Sequence, residues 1–519
     1  MDVSAWMESF LVFTVSLAVR LFSVRGALQD YDSRAHLYWA LKLKQSGGGP
    51  FSPVSVGVVT SSPFYYPFMW HWLISRLPIM HVLKYQAIAN PLLDAIFCLV
   101  VFHIAIDVGF SQREAYLATA LYLTTPMWFS RFSMGPRIRS FTPRLSGEIA
   151  TNCFFAFSLL TLNLPTLVTS SLAVTSGVFT LTSSKFGVQA LIFLTPLIAI
   201  FTNNAAPVGY LVVSLALVMA VSGGAYWRAL YTQMSHLAWY FKQNRKREMP
   251  VSNRNKIGPE YKKKEAESIA RYCFRIFSLC CSKNSFAGVI IKLPLLLFLI
   301  GSLPAAEISS FPQNLIMPVF AAVVVYFFIN IPIFLFLGEA ERYINHVAIF
   351  IVLAAVASAV QIGGEYYLGL FVAYGMFWIL LEGSVITKHA KNSIRRRDDA
   401  NKVIEFLKKY PKTVVVNYPF HACDGVYRIM TETHHETVFV DGQLGIAPEY
   451  ADRFAAAYPF MKLELLNEMK RDLGVTVLIV NNLDVKRQMG EGWQPPLDWH
   501  QVDIGCSLHT LYVASFANG

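Results

Sequence analysis

A chain of 519 residues that is 54% hydrophobic and only 15% charged, with mean hydropathy +0.43, is too apolar for an ordinary soluble enzyme, a disordered protein or a disulfide scaffold. Its formal charge of +11 must therefore lie outside the apolar stretches, where basic residues meet lipid headgroups or phosphates. The seven cysteines form no CxxC and no metal-ligand spacing, and Cys98 and Cys153 read as small core residues.

In chain order, Ala5 to Phe22 lacks a basic leader and a small-residue cleavage site, so it reads as a first membrane span. A long loop, 25–84, follows; within it Ser33 to Gln45 has helical apolar spacing and stops at Gly47-Gly48-Gly49-Pro50, which predicts an amphipathic helix on the membrane surface. Gln86 to Ile106 and Ala115 to Ser130 are the next spans. The runs Ile149 to Ser184 and Phe186 to Trp227 are free of charge for 36 and 42 residues, each long enough to cross a bilayer twice. Pro165 and Asn203-Asn204-Ala205-Ala206-Pro207 supply the breaks. The span from Val168 to Ser184 is the weakest, being rich in Ser and Thr. Beyond the stretch Arg228 to Lys283, where 13 basic residues face four glutamates, come Phe286 to Ser302, Leu315 to Leu337, Ile344 to Gly363 and Tyr366 to Leu381. About eleven transmembrane helices are expected within residues 1–387. The basic insert 228–283 reads as a solvated or headgroup-facing surface, not a nucleic-acid site, because apolar spans bound it on both sides.

After a basic, helix-permissive linker, 388–402, the composition changes. Lys412 to Asn417, Thr437 to Val440, Val475 to Val480 and Thr510 to Ala514 are short β-rich runs, with helices expected over Pro448 to Ala457 and Leu463 to Leu473. Residues 403–519 thus predict a small α/β domain, packed over the polar face and contributing little direct chemistry. It has no phosphate-cradling glycine loop, and His421, His434 and His435 lack metal-ligand spacing.

Loops after odd-numbered spans carry 25 Lys or Arg, against Arg113 alone on the other side. Counted by itself, that bias places the odd side in the cytoplasm. The same side carries the residues with chemical potential. Asp30, Asp32 and His36 stand just beyond span one; with a helix starting at Ser33, Asp32 is near its N-cap and His36 one turn on, so a carboxylate there can act as general base or hold a divalent ion on a phosphate. A simple cap with a solvated neighbour fits the same spacing. The loop after span three holds Arg131, Arg137, Arg139 and Arg144 without an acid until Glu148, a pattern suited to gripping phosphate oxygens or anchoring to anionic lipid. Lys185 is the sole charge between residues 149 and 227, and Gly338-Glu339-Ala340-Glu341-Arg342-Tyr343 places three charges in one tight connection.

The acidic-His cluster at Asp30, Asp32 and His36, the run Tyr65-Tyr66-Pro67-Phe68-Met69-Trp70-His71, the arginine-rich loop and the Gly338 to Tyr343 segment, in this order and on one side, resemble the GT-C superfamily of integral-membrane glycosyltransferases. Residues 466–480 also resemble the helix-strand unit in the α/β tails of many prokaryotic members. The resemblance implies a polytopic α-helical membrane protein with a small C-terminal α/β domain. It implies transfer of a sugar from a polyprenyl-phosphate donor to a lipid, glycan or protein acceptor at the extracytoplasmic face of the cell membrane, against the charge tally. An acid of the first loop would stand at the reaction centre: Asp32 first, Asp30 second, either able to hold a divalent metal ion. Arg137, Arg139 and Arg144 would take the donor phosphate, with His36, His71, Lys185, Glu339, Arg342 and Tyr343 lining the substrate site. The chain departs from the family in its insert at 228–283, and it lacks the WWDYG-type motif of oligosaccharyltransferases, which disfavours block transfer to asparagine. A multi-pass transporter is the rival reading; it predicts internal repeats and mid-membrane charge, and no convincing repeat is seen.

Overall fold

The structure is a computed structural model that describes residues 3–24, 31–59, 63–130, 138–160, 162–245, 254–264, 267–302, 313–418, 426–438, 463–482 and 498–514. The chain enters through α1 (Val3–Val24) and α2 (Tyr31–Gln45), then α3 (Met69–Ser75), α4 (Ile79–Asp107), α5 (Gln112–Thr124) and α6 (Pro126–Phe129). The long charge-free runs fold into α7 (Pro143–Leu159), α8 (Thr166–Ser183), α9 (Lys185–Thr202) and α10 (Ala206–Val221). Their breaks fall at the expected places: Pro165 caps α8, and Asn203 ends α9 in the left-handed conformation that asparagine tolerates. Next come α11 (Tyr226–Arg245), α12 (Ile269–Ser282), α13 (Ser285–Lys292), α14 (Pro294–Ser302), α15 (Gln313–Asn330), a short 3-10 turn at Pro332–Leu337, α16 (Glu341–Asn345), α17 (Ala348–Gln361) and α18 (Glu365–Lys409).

Among the described residues three helical stretches are long and apolar enough to cross a bilayer: Trp6–Val24, Tyr85–Asp107 and Lys185–Thr202. Two bent pairs bring the count to five: Ala206–Val221 with Tyr226–Lys242, and Ile269–Ser282 with Ser285–Lys292. Several other expected spans are helical but broken by proline, at Pro126, Pro294 and Pro332, because proline removes a donor and clashes with the preceding turn. The stretch Ile344 to Gly363 differs for another reason. It becomes the end of α16 and the 14-residue α17, whose residues Ala348 to Val356 are all buried, so α17 lies within the bundle with protein around it. Asn152 of α7 closes the break before it, donating to the Asn345 carbonyl at 2.8 Å and accepting from the Ile349 N–H at 3.1 Å.

A buried charge ties the first helices together. Arg20 of α1, fully buried, pairs with Asp94 of α4 at 2.5 Å and donates to the Leu123 carbonyl of α5 at 2.7 Å, while the Tyr122 hydroxyl donates to the other Asp94 oxygen at 2.6 Å. Such a pair must be satisfied on both sides, since leaving one charge alone in a core costs several kcal/mol.

The basic linker is helical, as its composition permits. It is the continuation of α18, one 45-residue helix running from the bundle into the tail. The tail's sheet comprises β1 (Val414–Tyr418), β2 (Glu436–Val438), β3 (Val475–Asn481), β4 (Trp499–Val502) and β5 (His509–Ala514), in the order β2-β1-β3-β5-β4. The first three are parallel and the last two antiparallel. Val403, Ile404 and Leu407 of α18 pack on one face against Val415, Val477 and Leu511. A helix over Leu463–Leu473, α20, places Leu466 and Met469 on the other against Val416 and Val480; α19 (Val426–Glu432) precedes β2. Strand β4 was not foreseen, and the helix expected over 448–457 and His421 lie outside the described residues.

Sheet and first loop are joined through their backbones. Val59 N–H donates to the Thr437 carbonyl and Thr437 N–H to the Gly57 carbonyl, both at 3.0 Å, so residues 57–59 continue the sheet beyond β2. Tyr38, Tyr427 and Met430 share one apolar cluster beneath this join.

Asp94→Ala should lower unfolding stability by about 3–5 kcal/mol, because it strands Arg20 in the core, and adding Arg20→Met should recover much of the loss. Thermal unfolding of the wild type and the two variants in detergent checks this.

Candidate functional site

The site grows from the amphipathic helix. α2 starts at Tyr31, two residues before the expected start, so Asp32 sits inside its first turn and is not an N-cap. Ser33 has a tertiary role instead: its buried hydroxyl accepts the Phe141 N–H at 2.8 Å, fastening the start of α2 to the loop that carries the arginines. Asp30, Arg131 and Arg137 lie outside the described residues, as does the side chain of Asp32.

One turn after Ser33, His36 meets His71 of α3, with Nδ1 of His36 2.7 Å from Nε2 of His71. Rings enclose the pair: Trp39 lies 4.7 Å from His36, and Trp70 and Phe68 each 5.3 Å from His71, centroid to centroid. Burial, reinforced by the Arg144 charge, lowers the His36 pKa to about 3, and burial next to His36 lowers that of His71 well below its usual range. Both rings are therefore neutral near pH 7.

Arg144 stands in the first turn of α7, after Thr142 and Pro143 start the helix. Its guanidinium lies 5.6 Å from the centre of the Phe186 ring, and the guanidinium of Arg342 lies 4.1 Å from the same ring. Two glycines permit this approach. A methyl group on Gly147 would collide with Ser184, and Gly338, at φ +109°, would bring one to 3.3 Å from Phe186. Glu339 pairs with Arg342 at 2.6 Å; burial pushes its carboxyl up, but Arg342, Arg144 and Arg254 together outweigh that and hold it below the usual carboxylate range. Arg254 in turn pairs with Glu341 in a fully buried contact. Three arginines thus face two glutamates, and Arg144 has no carboxylate within ion-pair distance among the described residues, while its Nε is buried without a hydrogen bond. Buried Lys185 stands at the corner between α8 and α9, with Ser184 as the cap of α9, and acts electrostatically on His236 of α11. The arrangement has an excess of fixed positive charge walled by aromatic rings, which suits a phosphate-bearing ligand.

The structure accordingly brings His36, His71, Arg144, Glu339 and Arg342 into one cluster, with Lys185 next to Phe186 at its edge. Arg139 is committed elsewhere: it donates to Glu382 of α18 at 2.8 Å and to the Ser23 carbonyl of α1 at 2.7 Å, a tie between helices. Tyr343 is buried in the main bundle core, its hydroxyl 3.5 Å from Gln189 and from the Leu337 carbonyl. His434 and His435 bond the Tyr410 and Leu407 carbonyls, and no group of three metal-capable side chains occurs among the described residues. Sequence reasoning missed Phe186, Arg254 and His236. Nothing local marks Phe186, the first apolar residue of its run, and Arg254 is one of 13 basic residues in the insert. The insert is no purely solvated face: it delivers Arg254 to Glu341 and His236 to the neighbourhood of Lys185.

No protein-family model matches the sequence, and no curated protein matches it. Solved structures do. ArnT from Cupriavidus metallidurans, bound to undecaprenyl phosphate, superposes over 99% of both chains with a TM-score of 0.58 at 12% identity. The archaeal oligosaccharyltransferase AglB from Archaeoglobus fulgidus, in complex with an inhibitory peptide and a dolichol-phosphate, matches 99% of this chain and 75% of its own at TM-score 0.50 and 13% identity. A further structure of the Archaeoglobus fulgidus oligosaccharyltransferase, with zinc and sulfate, gives 0.51 at 13% identity over 98% and 73%. The chain therefore shares the fold of ArnT and of the archaeal oligosaccharyltransferase, in line with the resemblance that the motif order suggested.

The histidine pair has a consequence for stability. Unfolded histidines take up protons as the pH falls through 6.5, whereas folded His36 resists until about 3, so the unfolded state binds more protons in this window. Stability should fall as the pH drops from 7 towards 4 and level off above 7; a His36→Gln/His71→Gln double variant should show a shallower decline in thermal unfolding across the same buffers.

Proposed function

We propose that this chain is an integral-membrane glycosyltransferase that moves a sugar from a polyprenyl-phosphate donor to a lipid, glycan or protein acceptor. The observation that carries the reading is the pair Arg144 and Arg342 at Phe186, with Arg254 also acting on Glu339, a cluster in which Arg144 has no acidic partner among the described residues. An anion that arrives with the substrate supplies the missing charge, and a phosphate at the head of a lipid is one. Two GT-C-fold neighbours hold such phosphates, undecaprenyl phosphate and dolichol-phosphate, which supports the same ligand class here.

In this reading Asp32 is the carboxylate at the reaction centre, because the Ser33 to Phe141 bond anchors the first turn of α2 beside the arginine loop. It deprotonates the acceptor, or with Asp30 would hold a divalent metal ion that would supply Lewis-acid charge at the phosphate, while Arg144 and Arg342 stabilise the charge that builds on the departing lipid phosphate. Lys185 borders the same ligand. Arg139 sets the frame and does not touch the donor. Single-sugar transfer is favoured over block transfer to asparagine, as the WWDYG-type motif is lacking. The working face is extracytoplasmic, and the basic insert rests against lipid headgroups.

Purified protein should transfer label from a polyprenyl-phosphate sugar and none from a nucleotide sugar supplied without polyprenol; the reverse outcome contradicts the reading. Asp32→Asn should abolish turnover with donor binding largely kept, whereas Arg144→Ala should weaken donor binding roughly tenfold to a hundredfold, the worth of one charge-assisted contact. Loss of activity on chelation, restored by a divalent ion, selects the metal version of the Asp32 role.

A further inference from the structure

The His36 to His71 contact holds information about protons. Both rings are neutral, so one nitrogen of the contact donates and the other accepts, and the choice fixes the remaining nitrogen of each ring. His71 is fully buried and its Nδ1 has no hydrogen-bond partner. A proton on that nitrogen would be an orphaned buried N–H, the rarer and costlier defect; a bare lone pair there is better tolerated. His71 therefore carries its proton on Nε2 and donates it to Nδ1 of His36. That leaves the His36 proton on Nε2, the vertex opposite the contact, which has no hydrogen bond among the described residues. His36 is only partly buried, and Arg144 is its charged neighbour.

We infer that His71 is a positioning residue that locks His36 as a neutral Nε2–H donor to the same phosphate oxygens that Arg144 binds. This rests on the lipid-phosphate reading and adds to it a donor that carries no charge. Arg144 already supplies charge; a second cation next to it would repel it, whereas a neutral donor adds a directed hydrogen bond without that penalty. The ring cage of Trp39, Tyr66, Phe68 and Trp70 holds both imidazoles in orientation.

The probe is a polyprenyl monophosphate in detergent micelles, with the uncharged polyprenol as control, and the readout is the ratio of their dissociation constants. His71→Leu should reduce the preference for the phosphate about tenfold, and His71→Gln, whose amide nitrogen replaces Nε2 as a donor, should restore it to within about threefold. Unchanged preference in His71→Leu, or equal loss in His71→Leu and His71→Gln, overturns the inference. Should Arg144→Ala also leave the preference unchanged, the lipid-phosphate reading fails as well; loss in Arg144→Ala alone sinks only the role of His71. If His71→Leu does not fold, the nitrogen chemical shifts of isotope-labelled histidine in the wild-type protein decide, with His36→Gln identifying the His36 signals. Protonated Nε2 on both rings is expected, and protonated Nδ1 on either ring refutes the proposal.

Discussion

A cation that leaves water at the face of a membrane needs a counter-charge, and the layout of this protein follows from that requirement. Arg20 has Asp94, Arg139 has Glu382, Arg254 has Glu341 and Arg342 has Glu339. Each pair joins segments far apart in sequence except the last, which closes a single turn. Because breaking any such pair strands a charge in a poorly solvated place, these contacts define how α1, α4, α16, α18, the loop before α7 and the basic insert must meet. Arg144 is the departure from the pattern. It has the Phe186 ring and the distant pull of Glu339, but no carboxylate of its own among the described residues.

The surroundings of that arginine are built for close approach. Gly147 and Gly338 remove the two side chains that would hold α7 and the Glu339 turn away from the α8 to α9 corner. Both guanidiniums can then lie within reach of the Phe186 ring, whose electron-rich face attracts cations. In the proposed reading, a phosphate that reaches both guanidiniums relieves their repulsion as well as forming bonds.

The tail acts on the same region from outside. Its sheet takes residues 57–59 as an extra segment, and α19 rests against α2, so the loop bearing Asp32 and His36 is held by backbone hydrogen bonds and by the Tyr38, Tyr427 and Met430 cluster. The continuous α18 carries that support back to the bundle, where Glu382 on the same helix grips Arg139. First loop, arginine loop and tail are thereby one mechanical unit.

Much of this was legible in the chain itself. Apolar run length and the breaks at Pro165 and Asn203 fixed the polytopic helical class, and the β-rich runs near 414, 437, 475 and 510 fixed the small sheet, because hydrophobic periodicity and turn chemistry are local properties. The order of the acidic, arginine-rich and Glu339 to Arg342 segments pointed to the kind of fold that the superposition with ArnT shows. Only the tertiary structure decided which arginines pair with a carboxylate: Arg139 and Arg144, five residues apart and alike in sequence, differ because Glu382 reaches one and not the other. It also decided that α17 is enclosed by protein, that Arg254 pairs with Glu341 and that His71 meets His36. Those are outcomes of pairing across hundreds of residues, and a charge carries no mark in the sequence of the partner that will neutralise it.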